Sequence, residues 1–83
     1  MNAVYVVVEN GDPYPVAYAS FESAAAVVKE THKRAVEGER MEVNRTQISH
    51  ETVIPENTKT GKTYIYVEKE IHIYIYKLPV LSF

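Results

Sequence analysis

Cysteine and tryptophan are both absent from this 83-residue chain. Without cysteine there can be no disulfide framework and no thiolate metal site, so the core alone must hold the fold. The same lack suits a reducing compartment. Glycine (3) and proline (4) are scarce, so each chain break they mark is informative. No basic-plus-apolar leader pattern opens the chain, and no apolar run approaches the roughly 20 residues of a membrane span. The expectation is a cytoplasmic protein without membrane contact. Charge of one sign is also lacking, since the formal net value is −2 with both signs scattered. That omits the basic field nonspecific nucleic-acid binding needs, and it is too mild for an acidic mimic of DNA.

What is present is ordinary globular composition with one bias. Apolar residues make up 46% of the chain, and tyrosine supplies seven of the nine aromatics. A tyrosine ring packs while its hydroxyl stays wet, which suits half-buried sheets and interfaces. The length fits a single domain over residues 1–83, one small enough that its core must be efficient or completed by a partner.

Residues 3–9, Ala-Val-Tyr-Val-Val-Val-Glu, form a β-branched run of the strand type. Asn10-Gly11-Asp12-Pro13 then breaks it, and Tyr14, Val16 and Tyr18 alternate with small residues. This predicts an antiparallel hairpin over 3–19, with Pro15 placing its second strand at an edge or a bulge. Ser20 suits an N-cap. Phe21, Ala24, Ala25, Val28, His32, Ala35 and Val36 recur at helical spacing up to Gly38, which predicts one helix over 20–37. Met41 to Ile48 reads as a polar, half-exposed strand, resuming at Thr52-Val53-Ile54, and residues 55–62 as a mobile polar loop.

Residues 63–78 carry the strongest pattern. Ile65, Val67, Ile71, Ile73 and Ile75 share one parity, and Tyr64, Tyr66, His72, Tyr74 and Tyr76 the other. A continuous strand of about 14 residues would run roughly 46 Å, long for so small a domain. Either Glu68-Lys69-Glu70 turns between two paired strands or one long strand bends. The unbroken parity and the missing glycine favour the bent strand. The fold class expected is α+β: an antiparallel sheet of four or five strands with one helix on one face, ββαββ or ββαβββ.

Chemical constellations are thin. Thr60-Gly61-Lys62-Thr63 has the end of a phosphate loop, but position 56 is glutamate where that loop needs glycine, and a strand follows instead of a helix. His32, His50 and His72 fall in separate elements without metal-ligand spacing. His32 reads as a packed boundary residue. No activated-serine elbow exists, and Glu68 and Glu70 flanking Lys69 read as solubilising charges. Asn44-Arg45-Thr46 matches a glycosylation sequon only formally. No catalytic residue, cofactor site or metal site is expected, and the chain is not expected to be an enzyme.

The tyrosines carry the functional expectation. If the isoleucine set faces the helix, Tyr64, Tyr66, His72, Tyr74 and Tyr76 line the opposite face of the sheet, where so large an apolar patch calls for a cover. They pack on a neighbouring strand or under the 55–62 loop, or they form a dimer or partner surface; base stacking is disfavoured by the charge. The tail Leu78-Pro79-Val80-Leu81-Ser82-Phe83 is apolar to its end and is expected to dock on its own core or on a second subunit. Leu81 and Phe83 therefore join the candidate surface.

The Val-Tyr-Val-Val-Val opening, the Asn-Gly-Asp turn, the Pro-Val-Ala-Tyr-Ala second strand and the Ser-Phe-Glu-Ser-Ala-Ala-Ala-Val-Val helix start, with the Tyr64–Tyr76 segment, resemble small uncharacterised bacteriophage accessory proteins of a ββα-β type. The resemblance covers the first half and the last strand and carries no functional residue across. It implies an accessory gene product that binds a host or viral protein inside the infected cell, in the host cytoplasm, or inhibits a host protein there. The function expected is thus a non-enzymatic protein-binding module. The alternatives are a self-assembling structural or virion-associated protein, with a homodimer favoured, and a weak nucleic-acid-binding domain.

Overall fold

The computed structural model describes residues 2–81. β1 (Ala3–Glu9) and β2 (Asp12–Tyr18) join through Asn10 and Gly11, both at positive φ (47° and 86°). Those two residue types tolerate such angles best, and the twist of the resulting turn matches that of the strands. The hairpin register runs Glu9 to Asp12 and Val8 to Pro13, then slips before Val6 meets Ala17. Val7 alone therefore faces Tyr14, Pro15 and Val16. This bulge at Pro15 separates the three apolar residues expected on one face. Tyr14 and Tyr18 stay half-buried against the core, while Val16 turns out to solvent.

Two helices, not one, cross the sheet: α1 (Phe21–Thr31) and α2 (Lys33–Glu37), broken at His32 (φ −112°, ψ 41°). Ser20 caps α1, its Oγ accepting from the Ser23 N–H at 3.1 Å. At the far end, the Glu39 N–H donates to the Val36 carbonyl and the Arg40 N–H to that of Ala35. This is a Schellman closure with Glu39, at φ 58°, in the left-handed position. Gly38, at the end of the expected helix, has φ −89°. Its missing Cβ makes room for the Arg40 guanidinium, whose Nη1 would lie 2.5 Å from it.

The C-terminal half holds four strands: β3 (Met41–Val43), β4 (Thr46–Gln47), β5 (Lys62–Val67) and β6 (Ile71–Pro79). The architecture is α+β as expected, but with six strands, all antiparallel, in the order β2-β1-β6-β5-β3-β4. Two turns account for the undercount. Asn44 and Arg45 (φ 53° and 64°) fold the Met41–Ile48 stretch into a tight hairpin, and the chain at 52–54 is not a strand. Lys69 and Glu70 (φ 62° and 64°) turn the 63–78 segment into the β5–β6 hairpin, so the long bent strand does not form. Because three residues separate Val67 from its partner Ile71, residues of equal parity share a face in both strands. The alternation therefore passes through the turn as if no turn were there.

The helices cover one face. Val7, Ile65, Val67, Ile73 and Ile75 from the sheet meet Phe21, Ala24, Val28 and Val36 from the helices, all nearly or fully buried. The alanines let α1 lie close to the strands. At the margin, Tyr5 packs edge-on against Phe21 at 6.0 Å and donates to Glu56 at 3.1 Å.

Candidate functional site: the open face of the sheet

Cross-strand register fixes the composition of the other face. Val6 is paired with Tyr76 and Val8 with Tyr74, while Val4 is paired with Leu78. On the other side of β6, Lys62 opposes Tyr76, Tyr64 opposes Tyr74, and Tyr66 opposes both His72 and Glu42. Partners in an antiparallel pair point the same way, so β1 contributes a valine stripe and β5 and β6 an aromatic ladder. No helix packs over this face among the described residues.

The ladder is continuous. Tyr66 to His72 (5.5 Å), His72 to Tyr64 (5.9 Å), Tyr64 to Tyr74 (5.1 Å) and Tyr74 to Tyr76 (5.9 Å) join five rings between centroids. Lys62 lays its ammonium over Tyr74 and Tyr76 at 5.1 and 5.9 Å, an attraction to the ring faces. The Tyr64 hydroxyl shares a hydrogen bond with His72 Nδ1 at 2.6 Å, and His72 Nε2 points to Glu70 at 3.5 Å. Loss of water raises the Tyr64 pKa first, and the charges of Tyr74, Tyr66, Glu70 and Glu42 add to it. Asn10 braces the ladder from the neighbouring hairpin: its side chain accepts from the His72 N–H at 2.7 Å, and its own N–H donates to the His72 carbonyl at 2.8 Å.

The rings shelter one another, so most are half-buried, yet Tyr64 is 39% and Leu78 43% exposed. Of the residues singled out from the sequence, Tyr64, Tyr66, His72, Tyr74 and Tyr76 stand together here. Leu81 lies past the end of β6 at 72% exposure. Residues 78–81 do not fold over the core: the Val80 N–H extends the β1–β6 ladder to the Asn2 carbonyl, and Leu78, Val80 and Leu81 are exposed. Phe83 lies outside the described residues.

The edges of the sheet are blunt by comparison. β2 carries Pro13 and Pro15, which have no N–H to offer, and the opposite edge, β4, has two residues. Both devices discourage strand addition.

One polar cluster escaped the sequence reading. On the helix side, Glu9 accepts from the Tyr14 hydroxyl at 2.8 Å and meets His32 Nε2 at 2.6 Å. Burial pushes the Glu9 carboxyl up, but the hydrogen bonds from His32 and Tyr14 outweigh it and leave the pKa lowered. Tyr14 is pushed up to about 12, by burial and then by Glu9. His32 also marks the break between α1 and α2, so the cluster ties the helix to the first hairpin. No spacing rule joins positions 9, 14 and 32; only the fold brings them together. Lys62, seen earlier as the end of a phosphate-loop motif, opens β5, and Gly61 before it makes a turn (φ 68°). His50 lies 3.9 Å from Glu37 on the surface. Among the described residues no three acidic or histidine side chains gather as metal ligands would, and no helix is long and apolar enough to cross a membrane.

Compared with known proteins, the chain matches no family model, no curated protein and no solved structure. The resemblance to phage accessory proteins rests on the quoted residues alone.

Proposed function

We propose that this chain is a non-enzymatic polypeptide-binding module whose working surface is the open face of its sheet. One observation carries the reading. Five rings in mutual contact and a valine stripe occupy a face that no helix covers among the described residues, on a sheet whose other face carries the core. Mutually braced tyrosines offer large contact area at little entropic cost, which is why tyrosine is enriched at binding hot spots. The blunted edges favour face-on docking over strand addition. The Glu9–His32–Tyr14 cluster is assigned a structural role, because its polar groups are engaged with one another. The phage resemblance adds a host or viral protein of the cytoplasm as the class of partner.

The test is a paired capture experiment with wild type and a folded Tyr64→Ser/Tyr74→Ser variant. Partners held by the wild type and released by the variant support the reading. Partners held equally by both would place the working surface elsewhere.

A further inference from the structure

We propose that the cavity between α1 and the 50–54 segment binds a small, neutral, apolar aldehyde, which Lys29 captures as an imine. The site lies on the helix side of the sheet, apart from the open face, and stands whether or not that face docks a partner. The cavity measures about 240 Å³. Sites for drug-sized ligands run to about 300–1000 Å³, so the occupant must be small. Phe21, Ala25 and Ala26 of α1 face Val53 and Ile54 across it, which gives it an apolar wall on both sides. Lys29 is the one lysine or arginine among its lining residues.

Every other lysine of the chain is exposed, whereas Lys29 is part-buried. Its Nζ donates to the backbone carbonyls of His50, at 3.1 Å, and Thr52. An ammonium has three N–H donors and the neutral amine two, so the amine keeps both bonds and has its lone pair left for an electrophile. Loss of water pushes the Lys29 pKa down, and the Glu51 carboxylate offsets this only in part. More free amine at neutral pH follows, the usual way a protein makes lysine nucleophilic.

The step balances with no further reactant. The Lys29 nitrogen attacks the aldehyde carbon, its protons pass to the carbonyl oxygen, and water leaves as the C=N bond forms. The imine then takes up one proton from solvent. That single N–H serves the part-buried bond to Thr52, and water replaces it at the exposed His50 carbonyl. Glu22 and Glu51, the two acids lining the cavity, set the charge of the ligand: they repel a carboxylate and accept a neutral aldehyde. The product is a stoichiometric adduct, with no turnover.

Benzaldehyde with cyanoborohydride, which reduces the imine to a stable secondary amine, tests this on the full folded chain at neutral pH, the labelled lysines being mapped by peptide mass. The expected result is that Lys29 is labelled several-fold faster than any other lysine, at a rate that saturates with benzaldehyde concentration. The preference should vanish in urea, and it should be much smaller with para-carboxybenzaldehyde. Ala26→Leu, at an exposed lining position, narrows the cavity and should abolish the preference with Lys29 still in place and the circular dichroism unchanged. Labelling of Lys29 no faster than that of the exposed lysines would overturn the site. A fast rate that never saturates and survives Ala26→Leu would overturn the cavity as the binding element. Equal preference with both aldehydes would overturn the neutral ligand.

Discussion

Glu39 should be a better glycine than glutamate. It closes α2 with φ 58°, a conformation that costs an ordinary L-residue about 1–2 kcal/mol because Cβ crowds the carbonyl oxygen. Its side chain makes no hydrogen bond or ion pair among the described residues, so Glu39→Gly removes that strain and no contact. Against the gain stands the extra freedom glycine brings to the unfolded chain, about 0.5–1 kcal/mol. The net is a stabilisation of roughly 0.5–1 kcal/mol. For a domain of this size, that raises Tm by about 3–6 °C. Thermal unfolding by circular dichroism, at one fixed protein concentration, reads it directly. Gly11→Ala is the mirror control: Gly11 has φ 86° with open space around it, so only backbone strain enters and Tm must fall. If Glu39→Gly lowers Tm or leaves it unmoved while Gly11→Ala behaves as described, the assignment of strain to position 39 is wrong.

Three further outcomes follow from the packing and the polar cluster. Ile73→Ala, at a fully buried site between sheet and helices, should cost about 2–5 kcal/mol, read as a lower urea midpoint with an unchanged slope. The depressed Glu9 pKa means the folded state favours its ionised form. The resulting stability is present above the unfolded carboxyl's value and is lost as pH falls through the folded one. Glu9→Gln should therefore flatten the acid limb of a stability–pH curve below about pH 5. Tyr14, held up to about 12, has the opposite sign: its contribution is present below pH 10 and is lost as pH rises toward 12. Tyr14→Phe should flatten the alkaline limb.

The sequence announced most of the layers and missed two turns. Asn10-Gly11 carries a familiar hairpin signal, and the structure turns there. Asn44 suits the first missed turn, but Arg45, Lys69 and Glu70 adopt the same left-handed region with none of glycine's tolerance, so propensity marked the Asn44–Arg45 turn only in part and the 68–70 turn not at all. The odd loop length at 68–70 also hid the β5–β6 turn from parity. Yet the same arithmetic is why the composition of the open face was legible: whether strand or hairpin, the tyrosines fall on one side and the isoleucines on the other. The helix break was invisible for a different reason. The helical spacing continues smoothly through His32, and only its contact with Glu9, 23 positions away, singles out that residue. Bluntness of the two sheet edges was half legible, in Pro15; the two-residue β4 depended on a turn that composition did not show.

The central claim, that polypeptides meet this protein on the aromatic face, divides its seven tyrosines into two groups. Tyr64, Tyr66, Tyr74 and Tyr76 line the open side, while Tyr5, Tyr14 and Tyr18 pack toward the helices. Fluorotyrosine labelling, with fluorine NMR followed as a captured partner is added, separates them ring by ring. The account predicts that the first group shifts as the partner binds and the second stays fixed. Binding that moves the Tyr5, Tyr14 and Tyr18 signals, and leaves the other four still, would contradict it.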